Sequence, residues 1–269
     1  MRDTVVLLTG VLLVCPALAQ SPGVFAPECS VPFSKIAVER EIDHACGPAG
    51  SASKDAVKQQ NIMKNNFCAT GVPIDLTLRD FKELQITVDE LGISHGRRGL
   101  PIERIPLATV AKIGAEWYGE GSVVRFSGFI TSARYGNVRE GDTVNCKLEG
   151  AANNNLEIEL GERKKAGKCA QIAAVISPHY RPDEWTVDRL RLAQDEGRPI
   201  QVSGQLFFDA SHDPCAGGEG YRASTWEIHP VYDVAVCRET SLGKCRKDAG
   251  LWVPLESWVP DAWTRRGQR

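Results

Sequence analysis

Two runs in the C-terminal half alternate strongly between apolar and polar residues. In the first, Ile200, Val202, Gly204, Leu206 and Phe208 point one way, while Gln201, Ser203, Gln205, Phe207 and Asp209 point the other. In the second, Trp226, Ile228, Tyr232 and Val234 share a core face, and Glu227 and His229 stand opposite it. A period of two buries one side of a strand, so both runs predict half-buried strands. Pro230 follows His229 directly and cannot donate to a ladder, which predicts a kink or an edge at that point. Upstream, Val124, Phe126, Gly128 and Ile130 predict another strand, as do Val144, Cys146 and Leu148, and Leu156, Ile158 and Leu160. Ile172 to Ile176 is apolar on both faces and is expected to be covered on both.

Helical spacing replaces alternation in three places. Val187, Leu190 and Ala193/Gln194 form a stripe that Pro182 and Asp183 would open and Gly197 would end. Ser53 to Lys64 reads as a helix capped by Ser51 or Ser53, and Leu76 to Leu91 as a short helix followed by a connector. The order is strand, strand, strand, with Ile172–Ile176 as one further extended segment, then helix, strand, strand. That is the order of the OB-fold, a five-stranded, partly open barrel with a helix between its third and fourth strands. The expected class is therefore mainly β: an OB-like five-stranded barrel over residues 106–240. A small helical, disulfide-tied, loop-rich region at 20–105 precedes it, and a Trp-rich tail at 241–269 follows.

Residues 1–19 are set apart. Val5 to Val14 is apolar but too short to span a bilayer, and Ala17-Leu18-Ala19 fits a signal-peptide cleavage site. Export to the periplasm or outside the cell is the expectation, with Cys15 lost on cleavage. The nine cysteines then become eight, an even number suited to an oxidising compartment. Eight cysteines allow about 105 connectivities. Pairing neighbours gives Cys46–Cys68, Cys146–Cys169 and Cys215–Cys237, with Cys29–Cys245 joining the two ends. No Cys-x-x-Cys spacing occurs, so structural bridges are favoured over zinc or redox motifs.

A net charge of −2 with only short basic clusters argues against nucleic acid as a partner. The outward positions Asn145, Lys147, Glu149, Glu157 and Glu159 point the same way, being acidic on balance and without aromatic stacking platforms. Protein or carbohydrate ligands remain. Beyond residue 19 no stretch is long enough to span a membrane.

The segments Trp226-Glu227-Ile228-His229-Pro230-Val231, Phe208-Asp209-Ala210-Ser211-His212 and Asn153-Asn154-Asn155 resemble those of a group of uncharacterised exported bacterial proteins. The resemblance implies export and an OB-like barrel, and implies no activity. It covers the barrel but neither residues 20–105 nor the tail beyond Cys245.

The polar groups able to do chemistry gather near the paired strands: His179, Arg181, Asp209, His212, Arg222, Glu227 and His229. Asp209, His212, Glu227 and His229 are the candidate ligands of a divalent metal, since an acid and an imidazole two apart on a strand share one face. The competing reading has Glu227 and His229 pair with Arg222 or Arg181 and fix the strand end. Ser211 lies in no G-x-S-x-G elbow and is disfavoured as a nucleophile. The favoured reading is a binding or interaction module without a cofactor. The alternative is a metal-dependent hydrolase such as a phosphodiesterase. Trp252, Trp258 and Trp263 are expected to wrap over the barrel.

Overall fold

The structure is a computed structural model that describes residues 24–266, apart from Pro27 and Ile102. The expected signal segment, its cleavage site at Ala19 and Cys15 lie outside the described residues. Five strands make a closed barrel: β1 (Val123–Tyr135), β2 (Leu156–Gly161), β3 (Gln171–Ile176), β4 (Pro199–Phe208) and β5 (Trp226–Cys237). The order around it is β1-β2-β3-β5-β4 and back to β1, with β3 and β5 parallel and every other neighbour antiparallel. With a helix between β3 and β4, this is the expected OB-like topology.

Closure depends on β1, which pairs with β4 over Val123–Phe129 and with β2 over Phe129–Tyr135. The strand turns between these partners beside Gly128, where a Cβ would lie 2.6 Å from the Gly161 carbonyl oxygen. The alternating apolar positions fill the interior: Phe126, Ile158, Ile172, Val202, Leu206 and Trp226 are all buried. Removing each such side chain from water stabilises the fold by about 1.5–3 kcal/mol. Ile172 to Ile176 is buried on both faces, as its sequence predicts. β5 kinks where expected, around the cis His229–Pro230 bond, with register shifts against β4 at Gly204. It is no edge strand, because Glu227 and Ile228 also pair with β3.

Three helices matter for the site. α1 (Asp55–Lys64) begins after Lys54, and neither Ser51 nor Ser53 caps it. α2 (Leu78–Glu90) is one continuous helix rather than a short helix and connector; Thr77 and Asp80 form its capping box, and Phe81, Leu84, Gln85 and Val88 are buried. α3 (Val187–Asp195) starts after Thr186, whose hydroxyl accepts from the Arg189 amide; Pro182 and Asp183 precede it.

Two further expectations fail. Val144–Leu148 is not a strand: Thr143–Asn145 is a single 3-10 turn, and Cys146 and Lys147 adopt left-handed backbone at φ 54° and 58°. Five residues alternated without a neighbour to pair with. All four expected disulfides are also wrong. The bridges are Cys29–Cys68, Cys46–Cys146, Cys169–Cys215 and Cys237–Cys245. Pairing by nearness in sequence ignores that the N-terminal region folds back over the barrel, bringing Cys46 to the β1–β2 loop. It also ignores that the β2–β3 turn lies beside the β4–β5 loop.

That N-terminal region is integral to the barrel wall. A short strand, Ile74–Leu76, adds in parallel to β1. The Gln85 side-chain oxygen on α2 accepts from the Thr225 amide (2.9 Å) and hydroxyl (2.7 Å), fixing the start of β5. At the other end the tail packs on the barrel but buries only one of its three tryptophans: Trp252–Pro254 pairs with Ala235–Cys237, Leu255 and Trp258 are buried, Trp252 is half-buried, and Arg189 donates to the Leu255 and Trp258 carbonyls. Trp263 stays 47% exposed. Among the described residues no helix is long and apolar enough to cross a membrane.

Candidate functional site: a polar cleft on the outer barrel face

The outward residues of β2 and β3, the β1–β2 loop (136–155), the β4–β5 loop (209–225) and one side of α1 enclose a cleft of about 1190 Å³. OB barrels hold oligonucleotides and oligosaccharides on this face, between these two loops. Pairing registers set out its floor: Ser132 on β1, Glu159 on β2, Ala173 on β3 and Glu227 on β5 lie side by side. Two strand spacings, roughly 9.6 Å, separate Glu159 from Glu227. The small Ala173 leaves the space between them open.

Five of the seven sequence candidates meet here. Arg222 donates to Glu227 (2.5 Å) and to Asp209 (3.4 Å), so its guanidinium lies between the two carboxylates. Asp209 also receives Lys64 from α1 (3.5 Å), the Ser211 hydroxyl (2.6 Å) and His212 (3.4 Å). Burial alone would raise the Asp209 pKa; Lys64, Arg222 and His212 override it and hold the carboxyl far below its ordinary range. In Glu227, burial and Asp209 push upward, but Arg222 and His229 prevail and the group stays ionised. Burial lowers the His229 pKa and keeps the ring neutral. Its Nδ1 donates to Glu227 (2.8 Å), which leaves Nε2 a bare acceptor with no partner.

The remaining two candidates lie elsewhere. His179 is fully buried, bonded through Nδ1 to Asp43 (2.8 Å) and stacked on Phe25. Arg181 donates to the Asn154 and Ala151 carbonyls (2.9 Å each) and pins the β1–β2 loop; burial lowers its pKa to about 10. Arg222 is thus the arginine that pairs with Glu227.

Asp209, His212, Glu227 and His229 do not form a metal-ligand set. The Arg222 cation occupies the point on which Asp209 and Glu227 converge, and among the described residues no group of three or more His, Cys, Asp or Glu is placed to hold an ion.

Sequence reading missed other members of the site. Glu159 faces the cleft with Oε2 unpartnered, and burial raises its pKa to about 7. Beside it Glu157, also raised by burial, pairs with Arg134. Gln60 and Lys64 come from α1. Alternation had placed Glu157 and Glu159 outward, but burial against loops and α1 leaves no local mark in sequence. Asn145 and Lys147, expected beside them, belong to the irregular loop.

Most charges in the cleft cancel in pairs: Lys64 and Arg222 with Asp209 and Glu227, Arg134 with Glu157. Lys168 lies over the exposed Tyr221 ring, 4.6 Å from its centroid, at the rim. Fold and site together define a disulfide-tied, OB-like barrel with an internally neutralised polar cleft. No protein family, curated protein or solved structure matches the chain.

Proposed function

We propose that the protein is an exported binding module for an uncharged carbohydrate, held as an oligosaccharide in the cleft between the two long loops. One observation carries this reading. The cleft offers two polar atoms without partners, a Glu159 carboxyl oxygen and His229 Nε2, while its cations are engaged by its own acids or an aromatic ring. Unpaired buried polar atoms are costly, and a ligand rich in hydroxyls, each both donor and acceptor, would satisfy them. A phosphate-rich strand would need free cations and stacking rings; among the described residues Tyr221 is the one Phe, Tyr or Trp lining this cleft. Four disulfides suit an oxidising compartment.

The test is titration of isotope-labelled protein with neutral gluco-, xylo- and chito-oligosaccharides, and separately with deca-thymidine. Shifts confined to Glu159, His229 and Tyr221 on adding a sugar are expected. A response to deca-thymidine alone, or to none of the four, overturns the proposal.

A second reading, hydrolysis of the bound sugar, is favoured by a contrast between two carboxyls. Glu159 is raised to about 7 while Glu227 is held low, and such opposed shifts mark acid and base partners. Here Glu159 would protonate the leaving oxygen, and His229, oriented by Glu227, would take a proton from water. Release of reducing ends that Glu159→Gln abolishes while binding persists would favour this reading; binding without release would reject it.

A further inference from the structure

Two of the four bridges, Cys29–Cys68 and Cys169–Cys215, are half-buried, and the second borders a groove. Cys46, Cys237 and Cys245 are wholly buried, which closes two bridges to attack from at least one side. Cys29–Cys68 is half-buried and ties the N-terminal segment down. Cys169, by contrast, lines a separate open groove of about 690 Å³, bounded by Gly167–Ala170 on one side and Gly218–Tyr221 on the other. The loop over it is backbone only: the Gly218 carbonyl oxygen lies 3.3 Å from Cys169 Sγ, and no side chain covers the sulfur from that loop. Gly217, Gly218 and Gly220 take φ of 61°, 88° and 131°, and a Cβ at Gly220 would lie 3.0 Å from the Cys215 sulfur. Glycine permits that backbone and puts no side chain over the bridge. Lys168, the neighbour of Cys169 in the chain, also lines the groove, with its ammonium over the Tyr221 ring.

We infer that this groove is a thiol–disulfide exchange site for a dithiol. A thiolate of the partner attacks Cys169 Sγ, the sulfur that faces the groove, and the Cys169–Cys215 bond breaks with Cys215 Sγ leaving as thiolate. The partner's second thiol then attacks the mixed disulfide and releases Cys169 as thiolate. The protein gains two electrons and two protons, and the partner departs as a disulfide. Lys168 stabilises the incoming anion, as cations beside reactive sulfurs do.

Lys168 and Tyr221 line both this groove and the larger cleft, so the exchange acts on the rim of the binding site. The barrel end stays intact, because the Ala223 amide still donates to the Gln171 carbonyl (2.8 Å) and Arg222 still holds Glu227. Reduction loosens residues 216–221, while Ser211 and His212 stay bonded to Asp209 and the Cys215 amide still donates to the Arg222 carbonyl. The exchange itself does not depend on the carbohydrate reading; only its effect on ligand binding does.

The test treats the oxidised full chain with limiting dithiothreitol in one arm and a reduced Cys-x-x-Cys oxidoreductase in the other. Free thiols are then alkylated and mapped by mass spectrometry. Cys169 and Cys215 are expected to be labelled first, roughly tenfold ahead of any other pair, and Lys168→Glu is expected to slow that step several-fold. Prior opening of Cys29–Cys68, simultaneous opening of all four bridges, or an unchanged rate in Lys168→Glu overturns the inference. Reaction in the small-dithiol arm alone assigns the groove to small thiols; reaction in both assigns it to a protein partner as well. A sugar titration before and after reduction then reads the cleft separately.

Discussion

Arg222 is the residue on which the cleft floor rests, because it is buried and holds two buried carboxylates at once. Replacing it with methionine leaves Asp209 and Glu227 without their shared cation, and a loss of about 3–5 kcal/mol in urea unfolding is expected. The same carboxylates govern behaviour in acid. Both have folded pKa values below their unfolded ones, so their contribution is complete above the ordinary carboxylate range and fades as pH falls below it. Thermal unfolding followed from pH 6 down to pH 3 should therefore show a steep loss below about pH 4, which the Asp209→Asn variant weakens. Glu159 works in the opposite sense, since burial raises it to about 7. On the proposed carbohydrate reading, neutral Glu159 would donate to a sugar hydroxyl, and ionised Glu159 could only accept from one. Sugar affinity measured by calorimetry should fall as pH rises from 6 to 8, and Glu159→Gln, which keeps a donor and cannot ionise, should remove that dependence.

At the scale of elements, the strands that alternate next to a partner strand were legible, and the segments fixed by distant contacts were not. β1, β2, β4 and β5 declare themselves through a period of two, and β3 through an apolar run covered on both sides. Val144–Leu148 has the same alternation without a ladder; the Cys46–Cys146 bridge and a buried Asn145 hold it in a turn instead. Five site residues were legible because β5 and its preceding loop concentrate unusual polar groups on one face. Gln60, Lys64 and Glu159 were not, because only packing of α1 and the loops turns these ordinary surface residues into cleft residues. α2 supplies a further test. Its Gln85 satisfies the Thr225 amide and hydroxyl at the start of β5. Gln85→Ala should cost about 1–3 kcal/mol for the buried groups left unpaired, with faster hydrogen exchange at Thr225 as the local reading.

Across the whole molecule, the four bridges constrain very different lengths of chain. Cys46 and Cys146 are 100 residues apart, Cys237 and Cys245 only 8. Loop-closure entropy predicts about 4.7 kcal/mol lost on removing the first by paired serine substitutions and roughly 2.5 kcal/mol for the second, measurable as unfolding midpoints. The long bridge also has a consequence for how the protein is made. Synthesis runs from the N-terminus, so Cys29, Cys46 and Cys68 are all present well before Cys146 exists. Cys46 must wait, unpaired, beside two cysteines that belong to each other. A premature Cys46–Cys68 link would block the docking of the N-terminal region onto the barrel. The yield of native protein in an oxidising host should therefore rise when a disulfide isomerase is supplied with it.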